Sequence, residues 1–166
     1  MVVPTNTIDL ANHRIFARDL DGSKAEKRGY ARNRTFLVSL DPDEAAKLEA
    51  EGWPVKYREP NEEGDEGIYF LKVEVKFGKI PPKVVVLNPF TKRKKALNER
   101  TIESLNWISI QDIPLMDIRA FKWEKAGKEG VKCYLNSMYV TKRVDPFEEK
   151  FSDYVDEDSD AEDDYD

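Results

Sequence analysis

Residues 68–77 read IYFLKVEVKF. Positions 69, 71, 73, 75 and 77 are all apolar or aromatic, while positions 72, 74 and 76 carry Lys, Glu and Lys. Alternation sustained over ten residues has a period of two. A pleated strand with one buried face satisfies that period, whereas a helix would scatter the same side chains around its circumference. A strand with one apolar face cannot stand alone in water and needs other elements to cover it. The chain is therefore built around a sheet.

The remaining elements are read against that strand. Residues 34–40 (RTFLVSL) form another. Asp41, Pro42 and Glu44 then give an N-cap, a first helical position and a capping-box partner, opening a helix over 42–51 that stops at Gly52. Residues 53–58 read as a strand and 59–67 as an acidic loop. A turn at 78–82 leads to a strand at 83–87 and a basic loop at 88–95 (NPFTKRKK). Asn98 caps a short helix over 99–105, and 106–116 is irregular, with Pro114 as a breaker. Two strands, 117–124 and 131–142, flank a connection with two glycines. Residues 1–33 yield only a turn at Asp21-Gly22. From residue 53 onward the order is three strands, a short helix and two strands, the order of an OB-fold, although other small barrels and sandwiches share it. The expected fold class is mainly β: an OB-fold-like five-stranded barrel with short helices, to which strand 34–40 and its helix are N-terminal additions.

The net charge of −6 hides a division. Eleven of the 33 acids and one of the 27 bases fall in residues 148–166, which leaves 22 acids and 26 bases before them. The body is mildly basic and the tail polyanionic, so total charge misleads about the partner. The tail has too little apolar surface to offset chain entropy and is expected to be disordered. The expected organisation is one OB-like domain over 1–147, with 1–33 an extension of unassigned role, and an acidic tail over 148–166. No internal repeat is present.

Catalytic chemistry has little to work with. His13 is the one histidine and reads as a surface residue. Cys133 is the one cysteine, so no internal disulfide forms, and it reads as a small buried residue in a reducing compartment. No zinc spacing can be built. Gly78-Lys79 and Gly127-Lys128 lack the upstream glycine of a phosphate loop. Asp156, Asp158 and Asp160 are spaced as in a calcium loop, but Ala161 stands where glycine is needed. The expectation is no catalytic residue, no metal and no cofactor. No long apolar run or leader-like N-terminus is seen, so no signal peptide or membrane partner is expected, and the Asn33-Arg34-Thr35 sequon is without meaning in a cytoplasmic chain.

Binding of unpaired nucleic acid needs cations for phosphates and flat side chains for bases. In 117–124, Ile118 and Ala120 face inward with Lys122 at the rim, and Arg119, Phe121 and Trp123 face out. In 131–142 the inward set is Cys133, Leu135, Ser137 and Tyr139, and the outward set Lys132, Tyr134 and Asn136. In 68–77 the outward face carries Phe70, Lys72 and Lys76. The candidate stacking residues are Phe70, Phe121, Trp123 and Tyr134. The candidate phosphate contacts are Lys72, Lys76, Arg119, Lys132 and the cluster Lys92, Arg93, Lys94 and Lys95. Against this stands the ordinary role of strand aromatics as core, and a register slip of one residue exchanges the faces. Trp53 and Tyr57 share a face with Val55 and read as core. The tail can occupy the cationic groove when DNA is absent and dock on basic partners when released. Its candidate partner-binding residues are Asp156, Glu157, Asp158, Asp160, Glu162, Asp163, Asp164, Tyr165 and Asp166.

Residues 117–124 (DIRAFKWE), Gly127, 130–135 (GVKCYL) and 138–141 (MYVT) resemble the C-terminal hairpin of single-stranded DNA-binding proteins of tailed bacteriophages. Residues 52–56 (GWPVK), 69–73 (YFLKV) and 81–84 (PPKV) are similar to the same family, so the resemblance spans roughly 34–145. It implies an OB-fold, sequence-independent single-strand binding, a role in phage DNA replication or recombination in the cytoplasm of the infected host, and a tail that contacts replication proteins. Two departures stand out: Tyr165 is followed by Asp166 where such tails often end on an aromatic residue, and no match to the family is read in residues 1–33.

The function expected is non-enzymatic single-stranded DNA binding, with phage or host replication and recombination proteins as tail partners and the oligomeric state open between monomer and dimer. A DNA-mimicking module that sequesters a nucleic-acid enzyme is the alternative, and it would show no DNA affinity even without its tail. A small metal-dependent nuclease is the third reading, with metal-dependent loss of substrate as its signature.

Overall fold

Two long strands carry the architecture of the computed structural model, which describes residues 2–4, 6–29, 33–60, 62–64 and 66–144. The elements in chain order are β1 (Ile8–Asp9), β2 (Ile15–Asp19), α1 (Ser23–Lys27), β3 (Thr35–Leu40), α2 (Pro42–Ala50), β4 (Lys56–Arg58), β5 (Ile68–Glu74), β6 (Lys83–Leu87), β7 (Lys94–Leu97), a 3₁₀ turn (Ile102–Asn106), β8 (Ile110–Lys125) and β9 (Lys128–Lys142). The nine strands among the described residues form one sheet in the order β1-β8-β9-β5-β3-β2, with β4 beside β5 and the β6–β7 hairpin beside β9. Contacts of β9 with β5 and with β6 are parallel; the other pairs are antiparallel.

The alternation of β5 is realised as read: Leu71, Val73 and Val75 are buried, and Lys72 and Lys76 are exposed. Its apolar face packs on Phe36, Val38 and Leu40 of β3, Val84 and Val86 of β6, Met116 and Ile118 of β8, and Cys133, Leu135, Met138 and Val140 of β9. Ile102 and Leu105 of the 3₁₀ turn and Ala45 and Leu48 of α2 join the same core. At the start of α2 the Glu44 amide donates to Asp41 Oδ1 at 2.8 Å, the expected cap. The helix stops at Gly52, whose φ of +100° an L residue resists.

The structure corrects several expectations. The sheet is mainly β as expected but has nine strands rather than five. Strand 34–40 is no addition: as β3 it pairs with both β2 and β5, because its alternating Phe36, Val38 and Leu40 complete the core. Strand 53–58 shortens to β4, with Trp53 in the core and Tyr57 exposed, its ring tilted on Tyr69 at 4.7 Å. The basic loop is a hairpin turn whose second arm, β7, the sequence hid behind its lysines. The short helix is a 3₁₀ turn beginning three residues later, with Asn98 Oδ1 accepting from the Arg100 and Thr101 amides.

The irregular segment 106–116 belongs largely to β8. Pro114 fits because three steps on β8, from Asp112 to Leu115, oppose two on β9, from Thr141 to Tyr139. Proline lacks the ladder donor, and a bulge removes the need for it. A second bulge reverses the parity of β9: Asp117 pairs with Ser137 but Ile118 with Leu135, so Met138 and Val140 turn inward in place of Ser137 and Tyr139. The β8–β9 turn tightens to Ala126-Gly127, both at positive φ (53° and 78°), as a two-residue hairpin requires. N-terminal residues also enter the fold. Leu10, Ile15 and Leu20 are core, and the Asp19 carboxylate accepts from the Lys24 and Ala25 amides of α1.

Candidate nucleic-acid interface

The β8–β9 hairpin places its outer residues by register. Arg119 is opposite Tyr134, Phe121 opposite Lys132, and Trp123 opposite Gly130. Where β5 joins β9, Val73 aligns with Cys133 and Glu74 with Tyr134. Ile118, Cys133, Leu135, Leu71 and Val73 fill the core, so Arg119, Phe121, Trp123, Lys132, Tyr134, Lys72 and Phe70 share the outer face, the parity expected for these residues.

The four candidate rings differ in accessibility. Phe121 is 47% exposed. Trp123 is half-buried, with its indole folded onto Gly130. Tyr134 is only 7% exposed. The Arg119 guanidinium lies 4.9 Å from its centroid and Lys76 Nζ 5.9 Å, and the Phe121 ring meets it edge-to-face with the two centroids 5.7 Å apart. Tyr134 therefore serves as the plate that orders two cations beside Phe121 rather than as an open platform. Phe70 is 9% exposed, packed edge-to-face with Phe16 at a centroid separation of 6.2 Å and covered by Arg58 at 5.7 Å.

Two hollows flank this surface. One, of about 400 Å³, is lined by Lys56, Lys72, Glu74, Trp123, Gly130 and Lys132 among others. The second, of about 240 Å³, is lined by Arg34, Glu74, Lys76, Phe77, Lys132 and Tyr134 among others. Glu74 is the one carboxylate in either lining, against five cations, and Lys132 Nζ lies 3.6 Å from it. Arg34, which the sequence did not single out, is held over Phe77 at 5.5 Å; its Nη2 donates to the Glu99 carbonyl, and its Nε is buried with no acceptor among the described residues. Lys56 was missed too, since a register pairing Lys56 with Phe70 is not visible in sequence. The surface has the cations and the open rings that an unpaired polynucleotide requires.

The basic cluster does not act as one group. Lys92, at φ +63°, and Arg93 occupy the β6–β7 turn, while Lys94 and Lys95 are successive strand residues on opposite faces. Lys94 lies over the Tyr139 ring at 5.9 Å, further along the outer face; Lys95 is opposite Val86 on the core side. Residues 145–166 lie outside the described residues, and the tail residues singled out above with them. Cys133 is 1% exposed; burial, then the charge of Glu74, pushes its thiol up to about 12. His13, expected to be a plain surface residue, is half-buried, and its Nε2 donates to Glu44 at 2.7 Å. The described residues hold no group of three or more metal-binding side chains. No described helix is long and apolar enough to cross a membrane.

The family model described as "Putative phage ssDNA-binding domain" matches residues 1–165, and so extends the resemblance read over 34–145 to the N-terminal residues 1–33. The chain belongs to this family. No curated protein matches it. Among solved structures it is similar to the single-stranded DNA-binding protein from bacteriophage Enc34 in complex with ssDNA, at 14% identity and a TM-score of 0.54, covering 86% of this chain and 90% of that one. The C-terminal truncation of the Enc34 protein matches at 14% identity and a TM-score of 0.52, covering 86% and 89%. Another structure of the Enc34 protein also gives 14% and 0.52, covering 96% and 91%. At that identity the likeness is one of fold: this family member shares its β architecture with a phage single-stranded DNA-binding protein.

Proposed function

We propose that the chain binds single-stranded DNA without sequence preference and without catalysis, on the outer face of the β8–β9 hairpin and β5. The observation that carries this is the exposed Phe121 ring, packed on the Tyr134 ring that Arg119 and Lys76 also flank and paired across the strands with Lys132, with Trp123 lining the first hollow together with Lys56 and Lys72. Family membership supports it, as does the Enc34 protein of like fold, described in complex with ssDNA. Phe121 and Trp123 stack bases, Arg119, Lys72, Lys76, Lys132, Arg34 and Lys56 meet phosphates, and Tyr134 orders the cations. Residues 1–147 form the binding domain. The acidic segment 148–166 competes for the same face and, once displaced by DNA, recruits replication or recombination proteins in the cytoplasm of a phage-infected host.

Fluorescence anisotropy with labelled oligo-dT, at low and moderate salt, tests this on the full chain and on one ending at Phe147. Both are expected to bind, the shorter more tightly, with affinity falling steeply as salt rises. If neither binds at low salt, the single-strand reading is wrong and the DNA-mimicking module takes its place. If the two forms bind equally, the tail does not compete.

A further inference from the structure

Trp107 is 70% exposed, the most exposed large hydrophobic residue among those described. Its segment is nonetheless fixed. Arg18 Nη1 donates to the Leu105 carbonyl at 2.8 Å and to the Ile108 carbonyl at 2.6 Å, on either side of the tryptophan. The Trp107 amide donates to the Ser104 carbonyl at 3.1 Å, and Asn106 Oδ1 accepts from the Leu20 amide at 2.9 Å. Ile102 and Leu105, both fully buried, anchor the turn that precedes it. A single exposed apolar residue is ordinary on a protein surface. What sets this one apart is its neighbourhood.

Arg18 also lines a groove of about 540 Å³ between β2 and the start of β8, together with His13, Arg14, Gln111 and Asp112. Asp112 is the one carboxylate in that lining. Its Oδ1 is buried with no donor among the described residues, so four of the groove's accessible polar side chains, His13, Arg14, Arg18 and Gln111, are left to face a ligand. Beyond the groove, Arg14 stands 5.4 Å from the Phe16 centroid, Phe16 meets Phe70, and Phe70 shares the outer face of β5 with Lys72. A run of rings and cations thus leads from the hollow lined by Trp123 and Lys72, by way of Phe70, Phe16 and Arg14, to the groove whose Arg18 holds the backbone on either side of Trp107.

We propose that Trp107, with Arg14 and Arg18, is a second contact for the same single strand, reached only by DNA long enough to run from the hairpin face over the β2 edge. The proposal rests on the single-strand reading above. The ligand class is an unpaired polynucleotide: Trp107 stacks one base, and Arg14 and the groove hold the backbone that leads to it.

The test is a length series. Labelled oligo-dT of about 5 and about 15 nucleotides, near the two ends of the range of site sizes of one OB-type unit, is titrated with the full chain, Trp107→Ala, Arg14→Gln and Phe121→Ala. Trp107→Ala is expected to weaken the long strand about tenfold and leave the short one unchanged. Arg14→Gln should follow it with a shallower salt slope, and Phe121→Ala should weaken both lengths. As an independent readout, Trp123→Phe keeps Trp107 and the buried Trp53 as emitters, and only the long strand should quench it. Trp107→Ala binding both lengths like wild type, or losing both equally, overturns the second contact. Wild type binding neither length instead overturns the reading on which it rests.

Discussion

Trp123 covers Gly130 so closely that a Cβ on the glycine would lie 2.6 Å from the indole Cε2 and Cζ2 and 2.7 Å from Nε1. The two residues are direct partners across the β8–β9 pair, so the glycine is the seat of the indole. Trp123, so seated, lines the same hollow as Lys56, Lys72 and Lys132. Gly130→Ala is therefore expected to lift the indole off its seat. The checks are a shift in tryptophan emission and a severalfold loss of oligo-dT affinity, with the far-UV spectrum unchanged.

Phe121 and Phe70 should separate binding from stability. Phe121→Ala removes a ring already half in water, so the expected loss is one stacked base, about 1–3 kcal/mol of affinity, with little change in melting temperature. Phe70→Ala removes a ring buried between Phe16 and Arg58 and should cost roughly 3 kcal/mol of stability. Thermal melts and anisotropy titrations on both variants read out the contrast.

Replacing Lys132 by Ala should weaken all sequences alike and reduce the slope of log affinity against log salt by about 0.7, the value of one phosphate contact on a single strand. Its partner Glu74 limits that cation in the free protein, so Glu74→Gln should tighten binding. Titrations at several salt concentrations give both slopes.

The His13 ring has an acceptor at each nitrogen, the Ala11 carbonyl at Nδ1 (3.1 Å) and the Glu44 carboxylate at Nε2. Only the protonated ring donates to both. Burial pulls its pKa down, but the bond to Glu44, the Ala11 carbonyl and the Glu44 charge outweigh it and hold the value above 6.5. A pKa raised on folding gives stability that is complete below the unfolded value and is lost as pH rises through the folded one. Unfolding midpoints of wild type should therefore fall above about pH 6.5 relative to His13→Gln, in which that pH dependence disappears.

The Cys133 thiol, raised to about 12 and shut in the core, should resist a disulfide exchange reagent at pH 8 in the native protein and react at once in denaturant. Reaction in the native state on the same timescale would contradict the burial.

Period-two patterning determined much of this protein. The alternation of residues 68–77, the apolar set of 34–40 and the outward Arg119, Phe121 and Trp123 were legible because side-chain direction in a strand is local. The cap at Asp41, the stop at Gly52 and the charge division at 148 are local too. The tertiary structure decided what depends on partners distant in sequence. Bulges let Pro114 sit inside β8 and turned Met138 inward instead of Ser137, because an inserted residue resets parity without any mark in the composition. The pairing of β5 with both β3 and β9 brought Arg34 and Lys132 around one hollow and buried Tyr134 under its cations, so the open platforms are Phe121 and Trp123. Sequence shows which face a strand residue takes; only the assembled sheet shows what else lies on that face, and so how much of a ring is left open to a base.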